Sequence, residues 1–422
     1  MRFHPVNLLI AVTVAACQSA SGRGDGRWEA VVDTVGDTIT VRTMAGSVWG
    51  DTAWLEPEMS IGVVDGPDEY MLGRVRSLAV TPSGEIYLSD QQVPVVRKYS
   101  PDGTHLYDLG GEGGGPGEYK NPDGGLGVLS DGRVLVRDPG NNRINVYGPT
   151  GESLTSWRLP GGFWTGQKMY VDAEDRALTT VLLEGYRTIT TWRYGFVPYG
   201  PDGVPGDTLS VPRWDYTPPT LTGGGSRGRF EFVPFSPNQH FSYSKLGYFV
   251  AGLSTEYAVH LFRTDQPILR IEKDWTPVHI KAEEADERYM RLRNSFRQQF
   301  PGWRWNGPGL PDEKPPFKDV YAGEDGRIWV LLAQEGQPTM TAAEAQTVED
   351  ETGRLPLRYG EPLAFDVFEP DGTFLGHVRA PDGMEPRYPK PIFQGEYVWA
   401  VVRGDLDVLS VVRFKVAFPG AP

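Results

Sequence analysis

Residues 131–147 read DGRVLVRDPGNNRINVY. An Asp-Gly turn precedes a short aliphatic run, a Pro-Gly-Asn-Asn turn follows it, and a second run then alternates between apolar and polar side chains. Gly, Pro and Asn supply the backbone angles of tight turns, and short apolar runs bounded by such turns are typical of buried strands. The stretch therefore predicts two short antiparallel strands joined by a tight turn.

The same pattern of a turn followed by a short apolar strand recurs through the chain. Several copies precede a second turn of the Pro-Asp-Gly type, as at residues 101–103 and 370–372. The first two turn glycines, Gly84 and Gly132, lie 48 residues apart (132 − 84 = 48). A period of this length with about four strands per unit is typical of propeller blades, so the sequence predicts an all-β fold, a six-bladed β-propeller. The six copies lie at residues 83–88, 131–136, 175–178, 246–250, 325–330 and 395–400.

The last copy has room for only about three strands, between residues 391 and 417. We expect residues 53–63, which precede the first copy, to supply the missing outer strand, because pairing the chain ends closes the ring without an open edge. Residues 28–35 and 38–43 predict an additional hairpin at the rim. The ring is therefore expected to be closed by an N-terminal strand.

One segment breaks the β pattern. From about residue 281 to residue 300, apolar residues recur at steps of three and four, which places them on one helical face. Pro301 and Gly302 then end the pattern. The sequence predicts one inserted helix here, packed against the propeller by that apolar face.

Residues 136–147 resemble the NHL repeat, in which an Asp closes one strand, a turn with Asn follows, and Arg-Ile opens the next strand. The wider chain looks like the six-bladed propeller lipoproteins of bacterial envelopes, which carry segments similar to residues 110–119 and 310–317. The resemblance covers roughly residues 54–416 and is strongest in the first, second and fifth copies. It implies the propeller fold but no particular activity, because propellers host both binding proteins and enzymes.

The first residues predict export. Residues 6–16 form an apolar run too short to span a bilayer, and it ends at Cys17 in a Val-Ala-Ala-Cys sequence that resembles a bacterial lipobox. Residues 1–17 are therefore predicted to be a lipoprotein signal peptide, with Cys17 as the lipidated residue. Residues 18–27 form a Ser/Gly-rich flexible tether, and residues 28–422 form a single propeller domain. Gln18 follows the cysteine, so an outer-membrane location in the cell envelope is expected.

The formal net charge of -14 opposes binding to polyanions. Nucleic acid is excluded as a partner on this ground, and membrane contact is expected through the lipid anchor only. No cofactor is implied by the sequence. The remaining partner classes are a small molecule, a glycan or a protein.

A candidate ligand site emerges when the copies are aligned on their turn glycines. Polar residues then occupy equivalent positions just before the first buried residue of each blade, and all of them are expected to face one mouth of the central channel. Three cations at one mouth of an acidic chain would focus an anionic ligand. Two tryptophans that follow the helix, Trp303 and Trp305, are expected to cover this mouth and stack on a ligand. The equivalent positions are Arg76, Gln167, Asn238, Lys318 and Arg387.

The sequence offers little for a metal. The histidines after residue 17 form no pair with metal-ligand spacing, and Asp123, His240 and Asp319 are the weak candidates for a channel site. The leading hypothesis is an envelope protein that binds a ligand through the channel face without catalysis. Two alternatives remain: a metal-dependent hydrolase or lyase, as in the gluconolactonases and streptogramin lyases that resemble this topology, and a structural assembly module.

Overall fold

A computed structural model describes residues 27–159, 165–184, 193–225, 228–404 and 408–420. The predicted signal peptide, Cys17 and all but the last residue of the predicted tether lie outside these residues. They stay predictions.

The chain begins with the hairpin predicted for the rim. Strand β1 (Glu29–Val35) pairs with β2 (Thr38–Ala45), and β3 (Ala53–Ile61) follows. Strand β2 also runs parallel to the outer strand of the fourth antiparallel unit described below. The hairpin therefore extends that unit outward.

The later strands form antiparallel units of four strands, in the order expected for propeller blades. Units one to three contain β4 (Val75–Val80), β5 (Ile86–Asp90), β6 (Val95–Tyr99), β7 (His105–Leu109), β8 (Leu126–Val128), β9 (Val134–Asp138), β10 (Arg143–Tyr147), β11 (Ser153–Arg158), β12 (Tyr170–Val171), β13 (Ala177–Glu184), β14 (Arg193–Tyr199) and β15 (Leu209–Ser210). A separate hairpin, β16 (Thr220–Gly223) and β17 (Arg229–Phe232), precedes unit four, which contains β18 (Gln239–Ser244), β19 (Tyr248–Leu253), β20 (Ala258–Phe262) and β21 (Ile268–Lys273).

Insertions surround the fifth unit. Before it come β22 (Val278–His279), helix α1 (Ala282–Gln299) and β23 (Glu313–Lys314). Unit five contains β24 (Phe317–Ala322), β25 (Ile328–Leu332), β28 (Ala364–Phe368) and β29 (Phe374–Arg379), with β26 (Gln337–Pro338), helix α2 (Ala342–Thr352) and β27 (Tyr359–Gly360) inserted after β25. The last unit contains β30 (Ile392–Gln394), β31 (Tyr397–Arg403) and β32 (Leu409–Ala417).

The Pro-Asp-Gly turns use the backbone freedom of glycine. Gly103 and Gly372 have φ angles of 88° and 92°, which residues with a Cβ rarely adopt. A Cβ at Gly372 would also lie 2.9 Å from Val41 of β2. This turn of unit five therefore packs closely against the N-terminal hairpin.

Apolar clusters connect each unit to the next one around the ring. Between units five and six, Trp329 stacks on Phe393 with ring centroids 4.4 Å apart. Between units three and four, Tyr170 meets Tyr243 edge-on at 6.1 Å. Because the sixth cluster joins the last unit to the first, the units form a closed β-propeller.

Strand β3 completes the last unit, as predicted. It pairs antiparallel with β32 from Trp54 opposite Ala417 to Ile61 opposite Val411. Ala53 and Ile61 are fully buried, and β3 also contacts the outer strand of unit five. The expectation of closure by an N-terminal strand is confirmed.

Helix α1 is confirmed close to its predicted bounds, but the expectation of one inserted helix was wrong, because α2 is a second. Helix α2 begins at a capping box formed by Thr341 and Glu344 and ends at Gly353 with a φ of 66°. Only Ala345 of α2 is buried, so the segment shows no apolar stripe. Within the described residues, no helix is long and apolar enough to cross a membrane.

Candidate functional site at the channel mouth

A cavity of about 420 Å³ lies at the end of the ring where the inner strands of units three to six begin. Because the inner strands of a propeller run in one direction, their first residues meet at the same face. Four of the five aligned positions line this cavity: Gln167, Asn238, Lys318 and Arg387.

The fifth aligned position lies elsewhere. Arg76 is on β4 of the first unit and is not among the residues that line the cavity. Its Nε donates a hydrogen bond to Gln91 Oε1 at 2.7 Å. The cavity is therefore off the ring axis, toward units three to six.

The strand register adds a residue that the sequence alignment missed. The β30–β31 turn has two residues, since Gln394 pairs with Tyr397, whereas Ala322 of β24 pairs with Ile328 across a five-residue turn. Counting back from the last paired residue of each inner strand makes Lys390, not Arg387, the equivalent of Lys318. Alignment on turn glycines failed here because the turns differ in length.

The cavity wall is strongly basic. Among its described lining residues, five are basic and one is a carboxylate, in a chain whose net charge is -14. Such a local excess of positive charge attracts anions although the whole protein repels them. The basic residues are Arg193, Arg213, Lys318, Arg387 and Lys390, and the carboxylate is Asp319.

Lys390 is the most deeply placed of these cations. Only 10% of its side chain is exposed, and its Nζ lies 3.5 Å from both Asp319 Oδ1 and the Phe241 carbonyl oxygen. Burial lowers the pKa of Lys390, but the nearby Asp319 carboxylate outweighs this, and the pKa is raised above its usual value. The ammonium group is therefore charged and only loosely hydrogen-bonded by the protein.

His240 shares Asp319 with Lys390. Its Nδ1 lies 3.8 Å from Asp319 Oδ1, and its Nε2 lies 3.4 Å from Ser254 Oγ. Burial lowers the pKa of His240 to about 4; Asp319 opposes the shift, and Arg387 and Lys390 add to it. At neutral pH the imidazole is neutral and can both donate and accept a hydrogen bond.

The depressed pKa of His240 predicts a pH dependence of stability. Between about pH 4 and pH 6.5 the unfolded histidine binds a proton that the folded one does not, so the free energy of unfolding falls as pH falls through this window. Asp123, whose pKa burial raises to about 6, acts in the opposite sense. The free energy of unfolding, measured by urea titration at several pH values, should therefore change with pH at a different slope in His240→Gln than in the wild-type protein within this window. Identical slopes would contradict a neutral buried His240.

Lys318 is already compensated by a neighbouring carboxylate. Its Nζ lies 2.7 Å from Glu361 Oε2, and Glu361 also lies 3.1 Å from the buried Lys314. Burial lowers the pKa of Lys318, and Glu361 offsets this only in part. Lys318 therefore has the shorter ion pair within the wall, whereas the contacts of Lys390 and Arg387 are longer.

Aromatic side chains form the rest of the wall. Tyr388 and Phe232 are large exposed aromatics at the rim, with 57% and 42% of their surface accessible. A Cβ at Gly166 would lie 2.4 Å from Tyr388 Cε1, so the Tyr388 ring packs directly on that glycine. The remaining aromatic lining residues are Tyr194, Tyr216, Phe230 and Phe241.

One buried atom of the cavity wall has no hydrogen-bond partner among the residues that the structure describes. Gln167 Oε1 is buried, and no hydrogen-bond donor reaches it from the described parts of the chain. A buried carbonyl without a partner is costly, which makes it a natural acceptor for a donor group on a ligand or a water.

The structure brings two of the three candidate metal ligands together and places the third elsewhere. His240 and Asp319 lie together in the cavity wall, whereas Asp123 forms a buried ion pair with Arg137 and accepts hydrogen bonds from the backbone of Gly125 and Thr165. Across the described ranges, no group of three or more His, Cys, Asp or Glu side chains is placed to hold a metal ion.

The two tryptophans pack away from the cavity. Trp303 is buried, stacks on Phe296 of α1 at 4.4 Å, and donates its indole N–H to the Thr222 carbonyl. Trp305 contacts Tyr289 of the same helix at 4.9 Å. Neither lines the cavity. Instead, they pack between α1 and the β16–β17 hairpin. Phe230 and Phe232 of this hairpin line the cavity.

The insertions between units three and four therefore supply part of the site that sequence reasoning missed. The loop after β15 contributes Arg213 and Tyr216, and β17 contributes the two phenylalanines. These residues lie outside the repeat, so alignment of the copies could not find them.

No protein-family model matches this sequence, and no curated protein matches it. Similar solved structures include a member of the DUF4221 family from Bacteroides vulgatus, with 10% identity, a TM-score of 0.44, and coverage of 87% of this chain and 99% of that one. A streptogramin B lyase is 11% identical with a TM-score of 0.40, covering 86% and 98%. A gluconolactonase from Xanthomonas campestris is 13% identical with a TM-score of 0.37, covering 92% and 91%. At these values the fold assignment rests on the strand pairing of this chain, and its function must be argued from its own side chains.

Proposed function

We propose that this protein is a ligand-binding propeller that captures an anionic small molecule or glycan at the channel mouth. The observation that carries the proposal is the wall of five basic side chains and one carboxylate around a cavity of about 420 Å³. Binding pockets of this size, with aromatic walls and a few converging polar groups, are typical small-molecule sites.

Lys390 supports the choice of an anion. A buried ammonium costs free energy unless it is paired, and its contacts to Asp319 and Phe241 are both long at 3.5 Å. A ligand carboxylate or phosphate would supply the closer, charge-assisted hydrogen bonds that the protein does not. Arg387, exposed at the rim and contacting only the Lys318 carbonyl at 3.4 Å among the bonds described, lies on the entry side.

The proposal includes the location and architecture predicted from the sequence. The six four-stranded units are the six blades of one ring, displayed by an exported protein that is lipid-anchored through Cys17 in the outer membrane. A six-bladed ring on a short tether would hold the cavity close to the envelope surface. Mass spectrometry of the mature protein tests the anchor, since an unmodified Cys17 excludes it.

A charge reversal tests the site. Arg387→Glu is expected to weaken binding of an anionic ligand by about tenfold, because it replaces attraction by repulsion at the mouth of the cavity. Arg76→Glu is the matched control, since Arg76 lies at the start of an inner strand in a unit whose inner strand does not line the cavity. Isothermal titration with benzoate as the probe, at low and high salt, measures both variants. Equal affinities of the two variants would contradict the proposed site.

A further inference from the structure

We infer that the natural ligand of the channel-mouth cavity is a sugar acid: a pyranose ring that carries a carboxylate and several hydroxyl groups. This inference rests on the proposed function and narrows it from any anion to one chemical class. Three features of the wall carry it.

The first feature is that the wall holds both cations and a buried acceptor, Gln167 Oε1, that no donor reaches from the described residues. A carboxylate on the ligand would meet Lys390 and Arg387, but it would leave Gln167 Oε1 buried without a donor. Ligand hydroxyls are donors as well as acceptors, so they can satisfy this atom. Sites built to receive a hydroxyl discriminate strongly against ligands that lack it, because the buried protein group is then left unpaired.

The second feature is the pair of hydrogen-bonding groups beside the cations, His240 and Asp319. His240 is neutral at physiological pH, because burial holds its pKa at about 4, and the imidazole can exchange hydrogen bonds with hydroxyls in either role. Asp319 is a further acceptor, 3.8 Å from His240 and 3.5 Å from Lys390. A simple anion would gain nothing from Asp319 and would be repelled by it.

The third feature is the aromatic rim. Tyr388 and Phe232 are exposed at the entrance, and contiguous exposed apolar surface beside a cavity is typical of a ligand-binding groove. One face of a pyranose is a patch of C–H groups, which packs on an aromatic ring while the hydroxyls point sideways to polar partners. Gly166 fixes the height of the Tyr388 platform, since any side chain there would displace the ring.

The test compares three probes by isothermal titration of the full mature chain. Galacturonate carries ring, hydroxyls and carboxylate; galactose lacks the carboxylate; benzoate lacks the hydroxyls. We expect galacturonate to bind at least about tenfold more tightly than either comparator, since each lacks one set of charged or buried hydrogen bonds. If benzoate binds as tightly as galacturonate, the inference is overturned while the proposed function stands. If none of the anionic probes binds, both are overturned.

A single variant separates the hydroxyl contact from the charge. Gln167→Met keeps the length of the side chain and removes the acceptor, so galacturonate affinity is expected to fall by about tenfold while benzoate affinity does not fall. Gly166→Ala provides a second reading, because displacement of Tyr388 should weaken galacturonate and galactose alike. Circular dichroism confirms that each variant is folded. A loss of both galacturonate and benzoate binding in Gln167→Met would count against the assigned role of Gln167.

Discussion

A chain that begins at Val64 is expected to lose its cooperative unfolding transition, whereas a chain that begins at Trp28 keeps it. The shorter chain lacks β3, which pairs with β32 along its length and buries Ala53, Leu55 and Ile61. Fully burying one aliphatic side chain contributes about 1.5–3 kcal/mol, so the loss is comparable with the roughly 5–15 kcal/mol that stabilises a typical domain. The long edge of β32 would also be left unpaired.

A chain that begins at Asp51 is the matched control, because it lacks the β1–β2 hairpin and retains β3. Thermal unfolding followed by circular dichroism should rank the chains beginning at Trp28 and Asp51 well above the one beginning at Val64. Addition of a peptide spanning residues 51–64 should restore part of the transition. Equal melting temperatures for the chains beginning at Trp28 and Val64 would refute closure by β3.

Removal of the Lys390 ammonium should have the largest effect on binding. Lys390→Gln is expected to lower the affinity for an anionic probe by about 10- to 100-fold, because hydrogen bonds to charged groups contribute about 1.5–3 kcal/mol. Lys168→Gln is the matched control: Lys168 pairs with Glu324 at 3.3 Å and lines a different cavity at the other end of the channel. Titration calorimetry with benzoate measures both variants.

Lys390→Gln is also expected to lower the free energy of unfolding, since it leaves the Asp319 carboxylate buried beside a neutral side chain. The double variant Lys390→Gln with Asp319→Asn removes both charges and is expected to fold and to bind the anion more tightly than the single variant, because the repulsion by Asp319 is gone, but more weakly than the wild type. Wild-type affinity in a folded double variant would show that Lys390 does not hold the anion.

The repeat could be predicted because its turns are specified by the residues at the turn itself. Gly84, Gly132 and Gly326 all adopt φ angles between 84° and 88°, which marks these three units by a residue type that such turns require. The shortage of strands in the last copy likewise pointed to β3. Helix α2 escaped detection because it buries one alanine, although its capping box was present in the sequence.

The site was predictable only in part. Gln167 and Lys318 were found because the repeat places them at one face, but the shorter turns before β19 and β31 move the equivalent positions from Asn238 and Arg387 to His240 and Lys390. Phe232 and Tyr216 come from insertions whose placement depends on packing between distant segments. No local sequence pattern predicts such contacts. Trp303 is an example, because it was expected at the channel mouth and is instead buried against α1.

The β1–β2 hairpin also determines how the ring responds to mechanical load. Glu29 and Ala45, at the two ends of the hairpin, lie opposite each other, so tension on the N-terminal end pulls the two strands apart one rung at a time. Unzipping of this kind meets each hydrogen-bonded rung singly. Opening β1 and its turn would release about 9 residues at about 3.3 Å each, or roughly 30 Å of slack, and the six pairs between β2 and β21 must then break before tension reaches β3. The hairpin therefore opens first under tension, and the strand that closes the ring stays paired.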